Sequence, residues 1–153
     1  MLKHLVLRAT GISAAACVVL ALAAGPAAAS ADYGKQKVVY HLNNGDTTTI
    51  NKSLGNMLNH LKAVGPENAE IVAVVHGDGI AMFDKKTTTP EIQAKIKNLK
   101  MQGVKLTICN NTLTAKKINF EKDLEGTTDV PIHPAGLPEL VKLQQKGYIY
   151  VKP

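Results

Sequence analysis

Apolar residues fall into two alternating regimes along this chain. Short, nearly continuous apolar runs occupy residues 37–42 (KVVYHL), 70–75 (EIVAVV), 104–109 (VKLTIC), 130–132 (VPI) and 148–151 (YIYV). Between them, apolar positions recur every three or four residues. Ile50, Leu54, Met57, Leu58 and Leu61 do so over about 49–64, and Ile92, Ile96 and Leu99 over 90 to about 102. Ile118, Phe120 and Leu124 mark a weaker stretch over 113 to about 124, and Leu140, Val141 and Leu143 another over 138–146. The first regime predicts strands buried on both faces and the second predicts helices. Gly65-Pro66, Gly103 and Gly147 end three of the helices, and Pro90 opens one. Asn43-Asn44-Gly45-Asp46 and His76-Gly77-Asp78-Gly79 read as tight loops, whereas residues 80–83 fit neither regime. Pro131 lacks an N–H, which places its strand at an edge or makes it a strand start.

Strands that alternate with helices predict an α/β fold: one domain on a mostly parallel sheet of about five strands with flanking helices, three-layered and flavodoxin-like. With the order 2-1-3-4-5, the switch point would lie between the first and third strands, bringing the His41-Leu42-Asn43 loop beside Cys109.

Residues 1 to about 31 stand apart from this domain and read as a signal peptide. Lys3 and Arg8 form the positive start, and 11–24 is an alanine-rich apolar run broken by Gly25-Pro26. Small residues then offer cleavage near Ala29 or Ala31. The run is short of the ~20 residues that span a bilayer, so no stable membrane insertion is expected. Cys17 lies inside the apolar run rather than after it, which argues against a lipid anchor. The reading is an exported, periplasmic domain from residue 32 to 153, about 120 residues long and large enough for one core. Loss of Lys3 and Arg8 lowers the formal charge from +6 to +4. No arginine follows Arg8 and aromatics are few, so a nucleic-acid partner is not expected.

Cleavage leaves Cys109 as the single cysteine, unable to form an internal disulfide. It stands at the carboxyl end of a predicted strand, before a helix-like stretch. Strand ends on that edge of an α/β sheet are where ligands bind, and N–H groups at a helix start favour a thiolate. This puts the thiol at an exposed strand end, with His41 or His76 as a charge partner. Asn43, Gly77, Asn110, Asn111 and Thr112 are the neighbouring ligand-binding candidates. An inert buried thiol is the plain alternative. His41, His76, His133 and Cys109 come from separate loops without short ligand spacing, so neither a metal nor another cofactor is expected. His60, inside a helix, reads as a surface or boundary residue. Walker, dinucleotide-binding and nucleophile-elbow motifs are absent. Asn51-Lys52-Ser53 and Asn110-Asn111-Thr112 match a glycosylation pattern that arises often by chance.

Three segments together resemble the DsrE/DsrF-like family of sulfur-relay proteins. They are Cys109-Asn110-Asn111-Thr112-Leu113 after a Gly-Val strand, Val75-His76-Gly77, and the tail Ala135-Gly136-Leu137 through Leu140, Gln145, Gly147-Tyr148 and Pro153. The resemblance covers essentially the whole domain. It implies a compact α/β fold, trimeric or hexameric assembly, and a cysteine, here Cys109, that carries sulfur as a persulfide. Members that serve tRNA thiolation and sulfur oxidation act in the cytoplasm, so the export signal departs from them and their partners do not carry over. Two readings follow. One is a sulfur carrier or sulfurtransferase that exchanges sulfur with a donor and an acceptor thiol. The other is a non-catalytic ligand-binding or assembly module in which Cys109 only lines a crevice.

Overall fold

The computed structural model describes residues 33–153. The segment read as a signal peptide (1–31) and the expected domain start at residue 32 lie outside the described residues. Five strands form one sheet: β1 (Gln36–Leu42), β2 (Ala69–Val75), β3 (Lys105–Cys109), β4 (Ile132–His133) and β5 (Ile149–Val151). Every pairing is parallel, and the order is β4-β3-β2-β1-β5. Helices α1 (Thr47–Val64) and α2 (Pro90–Met101) pack on one face, and α5 (Gly136–Gln145) on the other.

This order corrects the expected one. β1 lies between β2 and β5, not between β2 and β3, so the His41 loop and the Cys109 loop are separated by a whole strand. The chain steps in one direction from β1 to β4, then returns past β1 to place β5. Right-handed crossovers make such a return cross on the opposite face, which is where α5 lies. The point where the order reverses is therefore between β1 and β5.

Local chemistry explains the helix boundaries. The Asp46 carboxylate accepts the Thr49 N–H at 2.8 Å and starts α1 two residues before the apolar period does. Gly65 ends α1 at φ 87°. Thr89 caps α2, with Pro90 in its first turn. The expected helix over 113–124 is two short pieces, α3 (Asn110–Lys116) and α4 (Phe120–Asp123). Lys117 breaks them apart in a left-handed conformation, φ 55°, and the Asn119 side chain caps the second. Residues 77–82 form a 3-10 helix, which takes in most of the tight loop expected at 76–79 and most of the 80–83 piece that fitted neither apolar regime. β4 begins after Pro131 and runs one residue past the expected segment, at the sheet edge.

The main core lies under α1 and α2, where Leu54, Met57 and Leu61 meet Val38, Tyr40, Ile71 and Val75. Truncating any of those three α1 side chains to alanine should cost about 2–5 kcal/mol. The opposite face is thinner: Val39, Val72 and Val74 meet Leu140, Leu143 and Tyr148. Side chains alternate along strands, so residues in phase with Val39 and Val74 point toward α5. That phase carries His41 on β1 and His76 just beyond β2. Among the described residues, no helix is long and apolar enough to cross a membrane.

Candidate functional site

The α5-facing phase puts several polar side chains along the carboxyl edge of the sheet. His41 is the last residue but one of β1, His76 follows β2, Cys109 ends β3, and His133 is the register partner of Cys109 on β4. Tyr150 on β5, in register with Val39, completes a row across all five strands.

Three members of the row form a continuous chain. The Tyr150 hydroxyl lies 2.6 Å from His41 Nδ1, and His41 Nε2 lies 2.5 Å from His76 Nε2. The two imidazoles meet edge to edge and nearly coplanar, with centroids 4.7 Å apart and planes 19° apart, as an in-plane N–H bond requires. Burial is the main influence that pushes the His41 pKa down, followed by the His76 ring and then Lys152. Burial, then Lys152, does the same to His76. Both shifts favour the neutral rings over imidazolium, and the pair is joined as hydrogen-bonding groups.

The His76 ring is seated against backbone. A Cβ on Gly136 would come within 2.7 Å of the ring, so no larger residue fits at the start of α5 without displacing it. The loop that carries His76 is also clamped from β3's side. The Gly77 N–H donates to the Thr112 hydroxyl at 2.8 Å, with Thr112 buried in α3. Beneath the loop, Gly79 passes so close to the Leu42 carbonyl that a Cβ would sit 2.3 Å from it. At the rim, Lys116 and Asp78 pair at 2.7 Å, and both are exposed enough for the pair to add little stability.

Cys109 is 4% exposed, which corrects its expected exposed position. It nonetheless lines an open cavity of about 430 Å³ together with His76, Gly77, Asn111, Thr112 and Gly136. Asn110 is exposed in the first turn of α3 and outside that lining. His41 and Asn43 line a different cavity, about 300 Å³, together with Ser53 and Lys152. The expected site residues thus line two separate cavities, one with His41 and the other with His76, and the two rings touch. The sequence reading missed Tyr150 and Gly136 as site residues. Tyr150 carried no signal without the strand order, whereas Gly136 stood in a segment already singled out.

His133 is buried beside Cys109, and neither ring nitrogen has a hydrogen-bond partner among the described residues. Burial pushes its pKa down, against a smaller upward pull from Glu139. His60 is half-buried, the boundary residue expected, and both its ring nitrogens are bonded. Its Nδ1 meets the Tyr40 hydroxyl at 2.8 Å and its Nε2 meets Gln36 Oε1 at 2.7 Å. Among the described residues, no group of three or more His, Cys, Asp or Glu is arranged to hold a metal ion.

Residues 36–153 match the DsrE/DsrF-like family, so the match takes in every strand and both cavities. The chain belongs to that family. DsrE/DsrF-like proteins generally serve sulfur relay. Two solved structures share the DsrE-like fold. MTH1491 from Methanobacterium thermoautotrophicum, a protein of unknown function, is 25% identical with a TM-score of 0.66, covering 78% of this chain and 100% of its own. The ychN protein from E. coli is 18% identical with a TM-score of 0.61, covering 77% of this chain and 99% of its own. Among proteins with curated functions, none matches this DsrE/DsrF-like chain.

Proposed function

We propose that this protein is an exported sulfur carrier that holds sulfane sulfur as a persulfide on Cys109. The observation that carries the reading is the thiol's place. Cys109 ends β3 on the ligand-binding edge of the sheet and lines an open cavity beside His76, the only free cysteine among the described residues. In the first step the Cys109 thiolate attacks the outer sulfur of a donor. A new S–S bond forms at Sγ, the donor's own bond to that sulfur breaks, and the rest of the donor leaves with the electron pair. An acceptor thiolate then attacks the outer sulfur, and Cys109 leaves as a thiolate. No electrons are gained or lost overall, and no second cysteine of this domain is required.

Incubation with a sulfane-sulfur donor should add one sulfur atom to the intact protein, and an acceptor thiol should remove it. Intact-mass measurement reads both steps. Cys109→Ser and Cys109→Ala should each abolish the gain. Two variants are needed because serine places a hydroxyl at a buried position. A second reading, the non-catalytic module, draws on the burial of Cys109. A thiol that reacts only after unfolding would establish that reading instead.

The remaining parts of the proposal are location and assembly. The amino-terminal pattern supports a secreted form that starts near Ser30 or Asp32, and mass spectrometry of protein from its native compartment tests this. Retention of Met1 would overturn it. Exposed Leu137 and Val141 on α5 and Ile149 on β5 support self-association, and the family resemblance suggests a trimer or hexamer. Light scattering at micromolar concentration should show it, and a strict monomer would remove the claim.

A further inference from the structure

The chain Tyr150–His41–His76 constrains where its protons sit. Two Nε2 atoms face each other, so in two neutral rings one must carry the hydrogen and the other must accept it. The other end decides which. A phenol hydroxyl donates to an imidazole nitrogen more readily than it accepts from one. With Tyr150 donating, His41 Nδ1 is the acceptor and His41 holds its proton on Nε2. His41 then donates to His76 Nε2, which leaves the proton of His76 on Nδ1. That nitrogen makes no hydrogen bond to any described residue, and its ring shares the cavity lined by Cys109. Gly136, pressed against Cβ, Cγ and Cδ2 of His76, keeps the ring in place.

We propose that Tyr150 is a positioning residue of the Cys109 site: through His41 it holds His76 as the Nδ1–H tautomer, which presents a neutral N–H donor to the thiol's cavity. The inference rests on Cys109 being the reacting thiol. An N–H donor in that cavity stabilises a thiolate, and equally the anionic outer sulfur of a persulfide, without placing a second charge in a buried site. Charged groups nearby are Lys152 beyond β5 and the Lys116–Asp78 pair at the rim, and His133 is a further titratable neighbour. None of them fixes the tautomer, because none bonds either ring.

Nitrogen-15 histidine spectra of the mature protein give a direct readout. Free histidine favours Nε2–H, so an Nδ1–H form at His76 is a distinctive signature. It should be present in the unmodified protein, and the Nε2–H form should appear at His76 in Tyr150→Phe. Alkylation of Cys109 by iodoacetamide near neutral pH should slow about tenfold in His76→Ala and severalfold in Tyr150→Phe, the scale of one hydrogen bond to a charged group. Tyr150→Phe should slow it no further once His76 is alanine. His76→Asn places an amide N–H near the position of Nδ1–H and should recover part of the rate. An Nε2–H tautomer at His76 in the unmodified protein would overturn the proposal. Equal slowing by Tyr150→Phe with and without His76, or no recovery with asparagine, would do the same. Alkylation and spectra need no sulfur donor, so a Cys109 that takes up no sulfur defeats the carrier reading while leaving this test intact.

Discussion

Two histidine–tyrosine pairs lie on opposite sides of β1, and they differ in where their hydrogen bonds end. On the α1 side, Tyr40 bonds His60, and His60 bonds the Gln36 amide oxygen. Both ring nitrogens are used, so the chain closes within the protein and ties α1 to β1. On the α5 side, Tyr150 bonds His41, but the chain continues to a second imidazole whose Nδ1 is left over. That imidazole stands in the cavity of the thiol. The residue types are alike, and burial lowers the pKa of His41, His76 and His60 alike. An unfinished hydrogen-bond chain, rather than histidine itself, is what separates a candidate site from a brace.

The broadest way to probe the comparison is pH. His41, His60, His76 and His133 all have folded pKa values pushed below the ordinary 6.5, with burial the first cause in each. Between 6.5 and those lower values the unfolded chain binds more protons than the folded one. Stability is therefore fully present above about 6.5 and is lost as pH falls through the folded values. Urea unfolding at a series of pH values should show this decline. His41→Gln should flatten it more than His60→Gln, because His76 and Lys152 add to burial at His41 alone. Equal flattening would erase the distinction.

Next in size is Gly136→Ala. Its Cβ must displace the His76 ring or shift α5, at a cost of about 1–3 kcal/mol. Alkylation of Cys109 should change with it, and unfolding and alkylation measured on the same sample would report both. A variant as stable and as reactive as the parent would mean that the ring is not held where it is described.

Tyr40→Phe should cost about 1 kcal/mol, because it removes a half-buried hydrogen bond and leaves His60 Nδ1 unpaired. It should leave Cys109 alkylation unchanged, and a slowed reaction would show that the two faces are coupled. Tyr150→Phe is the mirror experiment and the smallest in stability. With Tyr150 40% exposed, it should cost under about 1 kcal/mol while slowing alkylation. Loss of stability without loss of reactivity would make Tyr150 a second brace.

Much of this architecture was legible in the sequence because its signals are local. Apolar runs marked β1, β2, β3 and β5, and helical spacing marked α1, α2 and α5 to within a few residues. Lys117 was not legible, since no local signal favours a left-handed lysine, and so one long helix was expected where two short ones stand. The site was half legible. Cys109, His76, Gly77, Asn111 and Thr112 meet at one cavity because each lies next to a strand end in the sequence. His41 and Asn43 were placed beside Cys109 only through an assumed strand order, and sheet order depends on crossovers that sequence spacing does not encode. Tyr150 was hidden for the same reason, because its partner is 109 residues away.

That separation also bears on how the molecule is made. β1 forms its ladder with β2 early in the chain, yet its other edge waits for β5, the last strand in the sequence. While the polypeptide emerges from its amino end, the β1 edge is bare, with unpaired N–H and C=O groups of the kind that recruit foreign strands. Pairings between such distant segments are also slow to form. His41 acquires its phenolic neighbour only when this final pairing closes, so the Tyr150–His41–His76 chain is a late product of folding. A chain stalled or clipped before Tyr150 could present the Cys109 thiol without the hydrogen-bond chain that ends beside it.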